Sequence, residues 1–148
     1  MKQDLLLVIS QLLLIALYLM DPEWAHLELP QWLRYLALID VLMGILVLFA
    51  GLFALGSNLT PMPRPKEDGV LISTGIFKYI RHPLYAGILF IMAGGSIYLA
   101  SLWKMLISLL IWALFHYKST VEESYLKQRF TEYENYMLTA GRFLPKIR

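Results

Sequence analysis

The sequence predicts an all-α, polytopic membrane protein with about four transmembrane helices and a cytoplasmic C-terminal amphipathic helix. Of the 148 residues, 58% are hydrophobic and only 16% are charged. Soluble domains contain about 45–50% apolar and about 25% charged residues, so this composition indicates the membrane class. The apolar residues also form four stretches separated by polar segments, which is typical of helices that cross a bilayer.

The first 59 residues are predicted to form a pair of helices. Residues 5–20 are an apolar run of about 16 residues that lacks a small-residue cleavage site, so we interpret it as a retained helix. The second apolar run covers residues 32–55 and is followed by Gly-Ser-Asn, which favours a helix C-terminus. It contains Asp40, and an acid inside a span is a functional candidate unless it reaches the interface.

The prolines and glycines of residues 60–82 predict a loop rather than a helix. Residues 83–117 are predicted to form a helical hairpin, because Pro83 suits the first turn of a helix. Its first helix should extend to Ala100 and its second should end near Tyr117. The hairpin's small residues either allow close helix packing or leave room for an apolar chain. These residues are Gly87, Gly94 and Gly95.

Residues 118–148 are predicted to form a cytoplasmic segment. Within them, residues 121–138 match an amphipathic helix. Its apolar face carries Leu126, Phe130, Tyr133 and Met137. Glu122 lies four residues before Leu126 and is therefore predicted on this packed face. Glu123 is predicted on the solvent side, where Lys127 at i+4 can pair with it.

Basic residues predict the orientation of the chain. The segment 21–31 contains three acids and no lysine or arginine, whereas the 60–82 loop and the C-terminal segment are rich in both. The positive-inside rule places both termini and that loop in the cytoplasm. The two polar segments therefore face each other on one side of the membrane.

Charge and cysteine content exclude several functions. A net charge of +2 gives no indication of a nucleic-acid partner. Because the chain has no cysteine, disulfides, thiolate metal sites and cysteine nucleophiles are excluded. His26 and His116 have no second ligand at metal spacing, so we expect no metal site and interpret both as structural.

Two polar clusters are candidates for chemistry. Arg81, His82 and Tyr85 crowd the start of the third helix, where free N–H groups and the helix dipole attract a carboxylate. An interface anchor is the alternative interpretation. Glu122 is the second candidate, since an acid on an apolar face needs a partner or a ligand. The alternative for this cluster is an interfacial helix with ordinary salt bridges.

In chain order these clusters resemble the isoprenylcysteine carboxyl methyltransferase family, whose wider group includes phospholipid N-methyltransferases. The family pattern is Arg-His-Pro-x-Tyr-x-Gly, then Glu-Glu-x-x-Leu, then a phenylalanine and spaced tyrosines. The chain matches it at residues 81–87 and 122–126. The later matches are Phe130, Tyr133, Tyr136 and the run Arg142-Phe143-Leu144-Pro145. The resemblance covers roughly residues 60–148.

The resemblance implies a membrane-embedded methyltransferase that uses S-adenosylmethionine. It implies that residues 118–148 help to bind the cofactor and that Arg81 and Glu122 are catalytic. The residues implied to contact the cofactor are His82, Tyr85, Glu122, Tyr133, Tyr136 and Arg142. Where family members often carry an arginine, this chain has Lys118, which offers a point charge instead of a bidentate fork.

The expected acceptor is amphipathic or lipid-like and offers a carboxylate or an amine. It should approach sideways from the membrane lipid, because both clusters lie at the ends of spans. Two other functions remain open. Sterol reductases share the Arg-His-Pro-x-Tyr pattern but use a nicotinamide, and a non-catalytic membrane module could retain the fold.

The orientation is testable by cysteine labelling, since the natural chain has no cysteine. We expect an impermeant reagent added outside to label a cysteine at Glu28 but not one at Glu67. The reverse labelling pattern would remove the shared cytoplasmic location of the two clusters.

Overall fold

The computed structural model describes residues 2–66 and 68–146, so Glu67 and Arg148 lie outside the described residues. The described chain is helical, which confirms the all-α prediction. Its helices are α1 (Lys2–Leu19), α2 (Gln31–Leu55), α3 (Pro83–Tyr98), α4 (Leu102–Arg129) and α5 (Tyr133–Thr139). Short 3-10 turns occur at Glu23–Ala25, Gly56–Asn58 and Gly75–Lys78.

Two helices, α1 and α2, are long and apolar enough to cross a bilayer. Helix α3 is apolar but has 16 residues, fewer than the roughly 20 that a full span needs. Helix α4 has 28 residues and is about 42 Å long, with charged side chains toward its C-terminal end. The four-span arrangement therefore stays a prediction, while the exposed apolar surfaces of α1 and α2 suit a membrane protein.

Helices α2 and α3 pack through glycines at very short range. A Cβ atom at Gly44 would lie 2.7 Å from the carbonyl oxygen of Gly87, and one at Gly94 would lie 2.6 Å from that of Ala37. At Gly95, a Cβ atom would lie 2.7 Å from the hydroxyl of Tyr18 in α1. Of the two interpretations of these glycines, close packing is the one that the structure bears out, because neighbouring helices fill the space beside them.

Helix α1 lies against α4 and α3. The core between them contains the buried side chains Met92, Ile107, Ile111 and Phe115. At one end, the buried ammonium of Lys104 donates to the carbonyls of Tyr18 (2.8 Å) and Met20 (3.1 Å). This lysine satisfies carbonyl groups that the end of α1 leaves without helical partners.

The predicted end of the fourth helix near Tyr117 is wrong. Helix α4 continues without interruption to Arg129, and the short α5 follows after a break. The predicted amphipathic helix over residues 121–138 is thus divided between two elements. The change from apolar to charged composition after Tyr117 marks where α4 leaves the apolar layer. It does not mark a helix end, because no glycine or proline interrupts the backbone there.

Candidate active site

A buried carboxylate joins the two polar clusters. Glu123 in α4 is 3% exposed. Its Oε1 atom accepts a hydrogen bond from Nε of Arg81 at 3.0 Å and lies 3.1 Å from Nε2 of His82. Its Oε2 atom accepts a hydrogen bond from Nη2 of Arg142 at 2.7 Å. Glu123 therefore connects α4 to the start of α3 and to residues 133–146, which are called the C-terminal segment from here on.

The surroundings of Glu123 keep it ionised. Burial acts to raise the pKa of its carboxyl group, but the hydrogen bond with His82 and the positive charges of Arg81 and Arg142 lower that pKa and outweigh burial. Together they lower the pKa of Glu123 to about 2. The group is consequently an acceptor-only carboxylate at neutral pH.

This position corrects the predicted placement of the two glutamates. Glu123 is buried among cations and is not on the solvent side with Lys127, while the side chain of Glu122 is 29% exposed. The prediction counted from Leu126 across a helix that actually ends at Arg129. The buried face of α4 repeats every four residues through Ile111, Phe115, Ser119 and Glu123. If the helix periodicity is counted from the apolar residues of α4 instead of from Leu126, Glu123 falls on the buried face.

Glu122 faces the start of α3. The hydroxyl of Tyr85 donates to its Oε2 atom at 2.9 Å. The ring of His82 stacks on that of Tyr85, with centroids 5.5 Å apart and planes 9° apart. Nδ1 of His82 lies 3.6 Å from the same Glu122 oxygen. The structure thus brings together Arg81, His82, Tyr85 and Glu122, which the sequence had placed in two clusters.

The C-terminal segment pairs with the backbone that precedes α3. The N–H of Gly141 donates to the carbonyl of Tyr79 (2.9 Å), and the N–H groups of Arg81 and His82 donate to the carbonyls of Gly141 (2.8 Å) and Arg142 (3.1 Å). The Arg81 side chain also donates to the carbonyl of Ala140. These bonds hold the C-terminal segment across the start of α3.

Two cavities meet beside Arg81 and Glu122. Both are lined by Leu55, Thr60, Phe77, Arg81 and Glu122. The first, which we call the loop-side cavity, lies beneath the loop that follows α2 and is also lined by Leu126, Phe130, Tyr133 and Tyr136. The second, the helix-side cavity, is also lined by His82, Pro83, Leu84 and Tyr85. A larger open cleft beyond Tyr136 lacks both Arg81 and Glu122 among its lining residues.

Tyr133 lines the loop-side cavity and has an unsatisfied hydroxyl group. The residue is 1% exposed, and its hydroxyl has no hydrogen-bond partner within the described part of the chain. Burial raises its pKa and raises that of Tyr136 to about 12, so both phenols remain protonated. The hydroxyl of Tyr136 donates to the carbonyl of Phe77 at 2.6 Å. An orphaned buried donor that lines a cavity is a group that a bound ligand would satisfy.

Three other candidates lie apart from these cavities. Lys118 is buried, and its ammonium donates a hydrogen bond to Oε1 of Gln11 at 2.6 Å. The same ammonium lies 5.4 Å from the ring centre of Tyr85. Asp40 is exposed on the surface of α2. His26 lies 3.2 Å from Asp21 near the opposite end of the molecule.

His116 is exposed, with Nε2 3.5 Å from Nη1 of Arg142. Within residues 2–66 and 68–146, no group of three or more His, Asp or Glu side chains is placed to hold a metal ion.

Sequence comparisons show that the chain is similar to known methyltransferases. The model of the phospholipid methyltransferase family matches residues 32–133, well over half of the chain. The protein-S-isoprenylcysteine O-methyltransferase of Schizosaccharomyces pombe is 34% identical over 83 residues, which are 55% of this chain and 35% of that protein. The enzyme of the same name from Mus musculus is 26% identical over 129 residues, which are 84% of this chain and 46% of that protein.

A solved structure has the same fold. The eukaryotic intramembrane Ras methyltransferase, an isoprenylcysteine carboxyl methyltransferase, matches with a TM-score of 0.71 and 26% identity. The match covers 79% of this chain and 43% of that one. The chain therefore spans about a third to two thirds of the curated relatives that it matches.

The lowered pKa of Glu123 predicts an acid-sensitive contribution to stability. Because its folded-state pKa is about 2, against an ordinary value of 4.5, this contribution is complete above about pH 4.5 and is lost as the pH falls toward 2. We expect Glu123→Gln to lower the midpoint temperature of thermal unfolding in detergent at pH 6. Between pH 5 and pH 2.5 this midpoint should decrease less in the variant than in wild type. Glu134→Gln, at an exposed position, is the control. Parallel acid profiles for wild type and Glu123→Gln would contradict the ion-paired state.

Proposed function

We propose, since the chain belongs to the phospholipid methyltransferase family, that it is an integral membrane enzyme that transfers a methyl group from S-adenosylmethionine. We propose that the acceptor is a carboxylate or an amine of an amphipathic, lipid-like molecule, and that the site faces the cytoplasm. Curated relatives with matching sequence are named as O-methyltransferases of isoprenylcysteine, which supports a methyl-transfer reaction at this site.

The observation that carries this proposal is the junction of two unlike cavities at Arg81 and Glu122. The loop-side cavity adds aromatic and phenolic side chains to the shared wall, whereas the helix-side cavity adds the first turn of an apolar helix. A polar cofactor and an apolar acceptor need two such compartments with one common point. Alignment of the two reactants at that point supplies much of the rate of a displacement reaction.

The side chains that line the loop-side cavity suit the chemistry of S-adenosylmethionine. The orphaned hydroxyl of Tyr133 offers a donor, and the carboxylate of Glu122 offers a negative charge to a cationic ligand. Aromatic rings such as those of Phe130 and Tyr136 attract cations through their faces. The bound cofactor would supply a methyl group on a positively charged sulfur. We assign its binding to Tyr133, Tyr136 and Glu122, with His82 and Tyr85 at the junction.

Arg142 has a different role in this proposal. Its guanidinium is committed to Glu123 at 2.7 Å and to the hydroxyl of Thr120 at 3.0 Å. Arg81 is likewise paired with Glu123, and its side chain is 9% exposed. We therefore assign Arg142 to holding the C-terminal segment in place, and Arg81 to shaping the junction of the two cavities.

The acceptor would reach the helix-side cavity from the bilayer. Leu55 at the end of α2 and Leu84 in the first turn of α3 line this cavity, so its wall continues into the apolar surfaces of both helices. The glycines of α3 do not provide the passage, because α1 and α2 occupy the space beside them. Each methylene of an alkyl chain that stays in lipid contributes about 0.8 kcal/mol of favourable transfer free energy, so the bilayer concentrates such an acceptor beside the helix-side cavity.

The function is tested by titrating detergent-purified protein with S-adenosylmethionine and, separately, with NADPH. We expect binding of the first alone. Tyr133→Phe should weaken the binding of S-adenosylmethionine about 2- to 10-fold, because it removes the hydroxyl and with it one hydrogen bond of about 0.5–1.5 kcal/mol net. Tyr79→Phe, at an exposed tyrosine outside both cavities, should bind as wild type. Binding of NADPH, or of neither compound, would contradict the proposed function.

A further inference from the structure

Glu123 restricts the protonation of His82. An ionised carboxylate can only accept hydrogen bonds, so the 3.1 Å contact between its Oε1 atom and Nε2 of His82 requires the proton on Nε2. The His82 side chain is 3% exposed, and its ring is stacked on that of Tyr85, which fixes the plane of the imidazole. A neutral His82 in this arrangement therefore has no proton on Nδ1.

The unprotonated nitrogen lies on the Glu122 side of the imidazole. Nδ1 lies 3.6 Å from Oε2 of Glu122, which is too long for a hydrogen bond, and that oxygen already accepts from the hydroxyl of Tyr85. His82 and Glu122 both line the helix-side cavity. Nδ1 is thus on the side of the imidazole that is next to Glu122, a residue that the two cavities share.

We propose that Glu123 is a positioning residue that holds His82 in the Nε2–H form, so that Nδ1 accepts a proton from the acceptor in the helix-side cavity. This role rests on the proposed function and extends it to acceptors that must lose a proton, such as a protonated amine. The N–H bond of the ammonium breaks, its electron pair stays on nitrogen, and the proton binds Nδ1. In the resulting imidazolium, Nε2 lies 3.1 Å from Oε1 of Glu123 and Nδ1 lies 3.6 Å from Oε2 of Glu122.

The groups around His82 come from three elements and suit this proton transfer. Arg81 precedes α3 and pairs with Glu123, and the ring of Tyr85 lies on one face of the imidazole. Helix α4 contributes the two glutamates. The C-terminal segment contributes Arg142, which pairs with Glu123, and Phe143, whose ring edge approaches His82 at 6.2 Å. Arg81 and Arg142 both form ion pairs with Glu123. Glu122 is therefore the carboxylate next to Nδ1 of His82.

The tautomer can be measured on the cofactor-free protein. Nitrogen-15 spectra of histidine-labelled protein in detergent contain three histidines, and His82→Asn identifies the signals of His82. We expect wild type near pH 7.5 to show a protonated Nε2 and an unprotonated Nδ1. In Glu123→Gln the amide both donates and accepts, so a mixture of tautomers should appear, and Glu123→Asp should restore the single form. A wild-type Nδ1–H tautomer, or an unchanged spectrum in Glu123→Gln, would overturn the proposal.

The kinetic part of the experiment uses a long-chain primary amine as the methyl acceptor. Glu123→Gln should lower kcat about 100-fold or more, the usual size of a proton-transfer contribution, and change the Kd of S-adenosylmethionine less than twofold. Glu134→Gln should match wild type. Equal losses in kcat and in cofactor affinity would make Glu123 merely structural and overturn the proposal. Failure of wild type to bind the cofactor would instead overturn the proposed function, and the tautomer measurement would remain valid.

Discussion

The carboxylate of Glu123 is the interaction on which the rest of the site depends. It forms ion pairs with Arg81 and Arg142 and contacts Nε2 of His82. Arg81 and His82 lie at the start of α3, and Arg142 lies in the C-terminal segment. A buried ion pair contributes little net stability, but removing one partner is costly because the remaining charges stay buried. The value of this cluster lies in specificity, since only one arrangement of α4, the start of α3 and the C-terminal segment satisfies all of its charges.

The membrane explains why the site lies at one end of the helices. Within the apolar layer, α2 and α3 approach closely enough that glycine is needed at Gly44 and Gly87, which leaves no space for a polar cavity. Polar side chains accumulate where the helices emerge, as His82 and Pro83 begin α3 and Glu122 follows the apolar part of α4. A site at this boundary can serve a water-soluble cofactor and a membrane-dissolved acceptor together.

Local patterns predicted much of this arrangement. The apolar run predicted α2 to within one residue at its start, and Pro83 predicted the start of α3. The order of the motifs predicted that Arg81, His82, Tyr85 and Glu122 would lie together. The role of Glu123 was missed because helix periodicity was counted across the break after Arg129. The pairing of residues 79–82 with 141–142 depends on backbone hydrogen bonds between distant segments, which no local pattern reports.

Glu123 fastens the C-terminal segment to the helical bundle through its contacts with Arg81 and Arg142. Double electron–electron resonance between spin labels at Leu138 in α5 and Trp24 at the opposite end measures this directly, because both side chains are exposed and the chain has no natural cysteine. We expect a narrow distance distribution in the wild-type and Glu122→Gln backgrounds and a broad one in Glu123→Ala, which leaves Arg81 and Arg142 without their shared acceptor. An equally narrow distribution in Glu123→Ala would contradict this fastening role.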